Sequence, residues 1–199
     1  MDDKRIVGAI FSLGLLERSA TPKAIAKRLA CDADWVKPRL DELGRKGLVK
    51  RNGAVVELTG RGRDSIKVVF IGGGFEVIHS GHIYTIEQAR NRGDVLVVVV
   101  ARDSTVRRGK GREPVATEAE RVKLLSSLRQ VDAAILGVEG DIYDTLEKVK
   151  PDVVALGYDQ RHVKSEIVRE AARRGIPLEV VRLDTQHPKM KTSRLLSEF

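Results

Sequence analysis

Apolar residues in the first third of the chain recur at helical spacing. Ile6, Ile10, Leu13 and Leu16 fall on one face of a helix. Thr21 and Pro22 supply an N-cap and a first-turn proline for a second helix over 22–29. Asp32 or Asp34 caps a third, with Trp35, Leu40, Leu43 and Leu48 as its inward series. Pro38 sits near its first turn, where a missing N–H costs least, and Gly47 can stop it. Two short β runs follow, 48–51 and 54–58. They are joined by Asn52-Gly53, a pair suited to the positive φ angles of a type I′ turn. The polar stretch 60–65 is expected to be a linker. Beyond it the period changes. Apolar runs at 66–71, 95–101, 131–136, 153–156 and 178–181 suit buried strands. Helical stretches lie between them near 81–92, 117–129, 141–149 and 162–174, with a last one near 192–198. This alternation predicts an α/β fold, a Rossmann-like, doubly wound sheet of five parallel strands. Two domains are expected, 1–64 and 65–199.

The three helices and hairpin of the first domain resemble a winged helix-turn-helix. So do the phrases Leu40-Asp41-Glu42-Leu43, Lys46-Gly47-Leu48-Val49 and Leu58-Thr59-Gly60-Arg61-Gly62. The resemblance implies a recognition helix over about 34–46 and makes Lys37, Arg39, Arg45 and Lys46 candidate contacts to duplex DNA. Charge agrees in sign. Residues 1–66 carry 14 Lys and Arg against 9 Asp and Glu, so +5 of the chain's net +8 lies there. Asp32, Asp34, Asp41 and Glu42 share the stretch and would repel DNA. Winged helices also serve as protein-interaction modules.

Composition narrows the classes without choosing one. At 42% hydrophobic and 32% charged, the 199 residues can build real cores under an ordinary polar surface. The longest apolar runs are too short for a membrane span, and the N-terminus lacks a signal-peptide pattern, so a cytoplasmic protein with no membrane partner is expected. The single cysteine, Cys31, excludes an internal disulfide and a cysteine-cluster metal site. No His/Asp/Glu set has zinc spacing, and no protein-held metal is expected.

The densest chemistry follows the first strand of the second domain, in Gly72-Gly73-Gly74-Phe75-Glu76-Val77-Ile78-His79-Ser80-Gly81-His82. Glycines let backbone approach a bulky ligand. A helix starting near Gly81 offers free N–H groups to phosphate. His79 and His82, three residues apart, can both face that phosphate. The segments 72–82, 102–116, 137–140, 157–161 and 184–194 all fall beyond strand carboxyl ends, where open α/β sheets bind ligands.

This segment resembles the Gly-Thr-Phe-Asp-x-x-His-x-Gly-His signature of the cytidylyltransferase-like nucleotidyltransferases, with Gly74 and Glu76 in its threonine and aspartate positions. The likeness runs through 67–199, including Gly111-Arg112-Glu113-Pro114-Val115, Glu118-x-x-Arg121 and Leu156-Gly157-Tyr158-Asp159-Gln160. It is most similar to archaeal FAD synthases, with glycerol-3-phosphate cytidylyltransferases further off. The resemblance implies transfer of AMP or CMP from ATP or CTP to a phosphorylated acceptor, FMN first, with release of pyrophosphate. It also implies Mg²⁺ travelling with the nucleotide, and a homodimer. His79 and His82 would be catalytic. Gly73, Gly74, Phe75, Glu76, Gly81, Lys110, Arg112, Arg121, Gly157 and Asp159 would bind nucleotide, with Thr192 and Ser193 on the β- and γ-phosphates. The alternatives are a CTP-dependent enzyme acting on a polyol or alcohol phosphate, and a DNA-binding regulator whose second domain senses a nucleotide.

Overall fold

The structure is a computed structural model that describes residues 2–160 and 162–185. It divides into two compact units, Met1–Lys67 and Val68–Phe199.

The first unit holds α1 (Asp3–Leu15), α2 (Pro22–Leu29), α3 (Ala33–Arg45), β1 (Val49–Asn52), β2 (Val55–Leu58) and α4 (Gly60–Asp64). The helix starts follow from local chemistry. Thr21 Oγ1 accepts from Ala24 N at 3.2 Å, and Asp32 Oδ1 from Asp34 N at 2.7 Å. Ile6, Ile10, Leu13, Ile25, Leu40 and Leu43 are all buried. Three expectations change. Val36, not Trp35, is the fully buried residue in the first turn of α3; the half-buried indole instead carries the Arg39 guanidinium 3.5 Å above its ring. The hairpin pairs Asn52 with Val55, so its loop is Gly53-Ala54. Gly53, at φ +60°, is the loop's only positive φ, as in a type II′ rather than a type I′ turn. The expected linker is α4. Thr59 Oγ1 accepts from Gly62 N at 3.0 Å and donates to Gly47 O at 2.7 Å, capping the helix and tying it to the hairpin.

The second unit holds β3 (Val68–Gly73), α5 (Ser80–Arg90), β4 (Val95–Val100), α6 (Asp103–Lys110), α7 (Glu118–Ser126), β5 (Ala133–Leu136), α8 (Ile142–Val149), β6 (Val153–Leu156), α9 (Lys164–Arg173) and β7 (Glu179–Arg182). The five strands are all parallel, in the order β5-β4-β3-β6-β7. β4, Val-Leu-Val-Val-Val-Val, is buried along its whole length, as a strand covered on both faces must be. Val69, Ile71, Leu96, Val98 and Ala155 pack on one face with Ile86 and Ala89 of α5 and Leu125 of α7. At the amino ends, carboxylates satisfy strand N–H groups: Asp152 Oδ2 accepts from Val68 N at 2.6 Å and Asp132 Oδ2 from Leu96 N at 2.8 Å. Helix α6 was not anticipated. Its eight residues bury only Val106, and Gly111 ends it at φ +67°. The helix expected near 192–198 lies outside the described residues.

From β3 the chain winds outward through β4 and β5, then returns to place β6 on β3's other side. The carboxyl ends of β3 and β6 therefore border a topological switch point, where such sheets open a crevice.

Candidate active site

Gly72 and Gly73 still belong to the sheet, paired with Val99 and Val100. The chain then turns. Phe75 takes φ +50°, a left-handed conformation uncommon outside glycine, and its ring folds back beneath Gly73. A Cβ at position 73 would stand 2.9 Å from that ring, so a side chain there would force the ring to shift. His79 follows as N-cap of α5, its carbonyl accepting from His82 N at 2.9 Å and Ile83 N at 3.1 Å. This first turn stacks the two imidazoles, with centroids 3.9 Å apart and planes tilted by 32°. Phe75 lies 5.4 Å from the His82 ring.

Burial, then the neighbouring His79, push the His82 pKa down to about 4, against a weaker pull upward from Asp159 and the Val77 backbone. His82 is therefore neutral near pH 7. Its Nδ1 is buried without a hydrogen bond.

The Glu76 side chain is fully buried. It pairs with Lys110 and with Arg112 Nη1 at 2.7 Å, and accepts from Val115 N at 3.3 Å. Burial alone would raise its pKa, but Lys110 and Arg112 hold it below the usual carboxylate range. The carboxylate thus pins the segment from Lys110 to Val115 against the turn after β3. Arg121 is 1% exposed. Its guanidinium donates to Gly74 O at 2.5 Å, to Ala116 O at 3.0 Å and to Asp103 Oδ1 at 2.6 Å. Of the three cations expected at the nucleotide, Lys110 lines the cavity beside the histidines while pairing with Glu76, and Arg112 and Arg121 donate to partners within the protein.

Two cavities flank the glycines. One, of about 340 Å³, is lined by His79, Gly81, His82, Lys110, Tyr158 and Asp159. The other, of about 250 Å³, is walled by Phe70, Val99, Val138, Ile142, Val154 and Leu156. Gly72, Gly73, Gly74 and Gln160 line both. Gly157 also lines the histidine cavity, across from Gly72. The sequence marked Tyr158 and Gln160 only as part of the segment 157–161 and gave neither a role, and it gave no sign of the second cavity. Thr192 and Ser193 lie outside the described residues.

In the first unit, the candidate DNA contacts are engaged locally. Lys37 pairs with Asp34 at 2.6 Å, and Lys46 with Asp3 and Glu42 at 2.7 Å each. Arg39 stacks on Trp35, and Arg45 is exposed.

A crevice at the switch point, with stacked histidines on a glycine turn, is the setting in which the family comparison becomes decisive. Residues 70–194 match the cytidylyltransferase-like family. The chain belongs to this family. As a nucleotidyltransferase, it is 49% identical over 111 residues to the FAD synthase of Aciduliprofundum boonei, covering 56% of this chain and 74% of that one. It is 41% identical over 142 residues to the FAD synthase of Thermococcus onnurineus, covering 70% and 94%. Among solved structures it resembles the lipopolysaccharide core biosynthesis protein from Thermoplasma volcanium. There the identity is 42%, with 60% of this chain and 98% of that one covered and a TM-score of 0.58. Among the described residues, no helix is long and apolar enough to cross a membrane.

Proposed function

We propose that this nucleotidyltransferase transfers AMP from ATP to FMN, forming FAD and pyrophosphate. The observation that carries the reading is the likeness to archaeal FAD synthases across the segments that build the crevice. Two cavities meeting at a wall of glycines support it, because a two-substrate transfer needs two sites that share the reacting centre. The triphosphate suits the histidine cavity, with its cationic Lys110 and the amino end of α5. The flat, largely apolar flavin ring suits the cavity walled by valine, leucine and phenylalanine.

A phosphate oxygen of FMN attacks the α-phosphorus. A new P–O bond forms, the bond to the β-phosphate bridging oxygen breaks, and pyrophosphate leaves with that electron pair. The acceptor phosphate is already an anion near pH 7, so no general base is required. Catalysis reduces to alignment and charge stabilisation. His82 spends one N–H on the Val77 backbone, so donation through Nδ1 requires a proton. The charge of the bound triphosphate supplies the pull for that proton. Gly73, Gly74, Phe75 and Gly81 shape the phosphate bed, and Gly157 and Asp159 face the nucleoside. Glu76, Arg112 and Arg121 act by holding that bed in place. Thr192 and Ser193 are assigned to the β- and γ-phosphates. Mg²⁺ would arrive on the triphosphate, keeping most of its ligands from phosphate and water. Among the described residues no three His, Cys, Asp or Glu side chains are gathered to hold an ion.

For residues 1–64, three helices and a hairpin support a winged-helix reading. Duplex DNA would have to compete with Asp34, Asp3 and Glu42 for Lys37 and Lys46. Binding by the full chain in low salt, lost steeply as salt rises, would be its signature.

The test is product analysis with ATP or CTP against FMN, riboflavin and glycerol 3-phosphate. FAD and pyrophosphate from ATP and FMN alone are expected. Pyrophosphate release only with CTP and a polyol phosphate would replace the assignment, and none with any pair would refute catalysis.

A further inference from the structure

Gln160 stands in the wall between the two cavities. Its Nε2 donates to the Gly72 carbonyl at 2.6 Å, and its Oε1 accepts from Gly157 N at 3.0 Å. Those partners fix the amide's orientation, because a carbonyl can only accept and an N–H only donate. The turn leaving β6 is thereby bolted to the last paired residues of β3. From the other side Arg182 of β7 donates to the carbonyls of Gly157 at 3.0 Å, Gln160 at 2.7 Å and His162 at 2.8 Å. The turn is held from two directions, and the Gln160 link is the one that reaches the glycines.

We propose that Gln160 is a positioning residue that sets the separation of donor and acceptor. Its amide fixes the wall at which the two cavities meet, and so fixes the approach of the attacking phosphate oxygen to the α-phosphorus. The inference rests on the AMP-transfer reading above. Reacting atoms must be held about 3–3.5 Å apart, and a displacement of about 1 Å can cost roughly 100-fold in rate. Each cavity keeps its remaining walls when the link is lost, so the effect falls on kcat rather than on either KM.

The experiment uses the full chain with Gln160→Glu and Gln160→Ala, assayed from about pH 5 to 8 at a temperature where melts show each protein folded. A protonated carboxyl reproduces both bonds: its O–H donates to Gly72 and its other oxygen accepts from Gly157. A carboxylate loses the donor and sets negative charge against the Gly72 carbonyl. Relative to the wild type, kcat of Gln160→Glu should be near normal at low pH and fall by about tenfold or more as the carboxyl ionises, with both KM values moving less than about threefold. Gln160→Ala should be slow at every pH. A Gln160→Glu profile parallel to the wild type, an alanine variant within about threefold in kcat, or a loss confined to KM overturns the proposal. A wild type that ignores FMN but releases pyrophosphate with CTP and glycerol 3-phosphate sinks the flavin assignment alone, and the same profile is then read with that pair. No release with any pair overturns both.

Discussion

Replacing Arg121 by methionine removes the guanidinium and keeps most of the stem's bulk. Three acceptors then lose their donor: Gly74 O, Ala116 O and the Asp103 carboxylate. Hydrogen bonds to a charged group contribute about 1.5–3 kcal/mol each. Their sum is an upper bound, since the Asp103 side chain is 28% exposed and water can reach it. Breaking a buried ionic cluster from one side costs about 3–5 kcal/mol. We take about 4 kcal/mol for Arg121→Met. In a unit of this size each kcal/mol moves Tm by about 3–4 °C, so melting should fall by roughly 12–16 °C. Calorimetric melts of the full chain, with ATP affinity measured well below Tm, separate stability from binding. The expected pattern is a large Tm loss with ATP affinity within about threefold of the wild type. A Tm within about 3 °C of the wild type, accompanied by a tenfold loss of ATP affinity, would show that Arg121 is a nucleotide ligand and that this accounting is wrong.

His82→Ala should lower turnover by roughly 100-fold or more while the protein stays folded, as for loss of one charge-stabilising donor; near-normal turnover would remove the histidine from the mechanism. Nucleotide binding near pH 7 should draw about one proton onto His82, seen as a calorimetric enthalpy that changes with the buffer's ionisation heat; buffer-independent enthalpies would contradict it. With a folded pKa of about 4, below the ordinary value of 6.5, the unfolded chain takes the proton first as pH falls. Stability is therefore full above about pH 6.5 and declines toward pH 4 by roughly 3 kcal/mol, a slope that His82→Gln should lack in denaturant melts at a series of pH values. Gly62→Ala would bring a Cβ to 2.0 Å from the Leu48 carbonyl oxygen, so the first unit should lose about 3 kcal/mol or more in urea melts; an unchanged midpoint would mean that α4 shifts freely.

The strands of the second unit were legible because each is a short apolar run between polar or glycine-bearing stretches, as in the six residues of β4. Helix α6 was not, because Asp-Ser-Thr-Val-Arg-Arg-Gly-Lys offers one apolar residue and no periodic face. The stretch 60–65 looked like a linker because it is short and polar, yet Thr59 caps a helix there and Gly62 is the residue that lets it lie on Leu48. Trp35 was read into the inward series of α3, but Val36 takes the buried place and the indole carries a cation instead. At the site, the motif marks Glu76, Lys110, Arg112 and Arg121 as polar residues near phosphate. Spacing cannot say that one carboxylate faces inward to two of the cations, or that a fully buried arginine grips the glycine turn. Gln160 falls in a segment that the sequence places beyond a strand end, but spacing cannot show that its amide bridges two backbone groups.

Gly73 remains within the sheet, and its carbonyl accepts from Ala101 N at 2.9 Å. One residue later the chain leaves the ladder. Paired amides of a central strand open far less readily than a turn beside a cleft, which opens by local fluctuation. The boundary between those regimes falls at the peptide joining Gly73 to Gly74, within the wall shared by both cavities. Thermal agitation that frees the ends of bound substrates has little leverage on the strip of backbone between them.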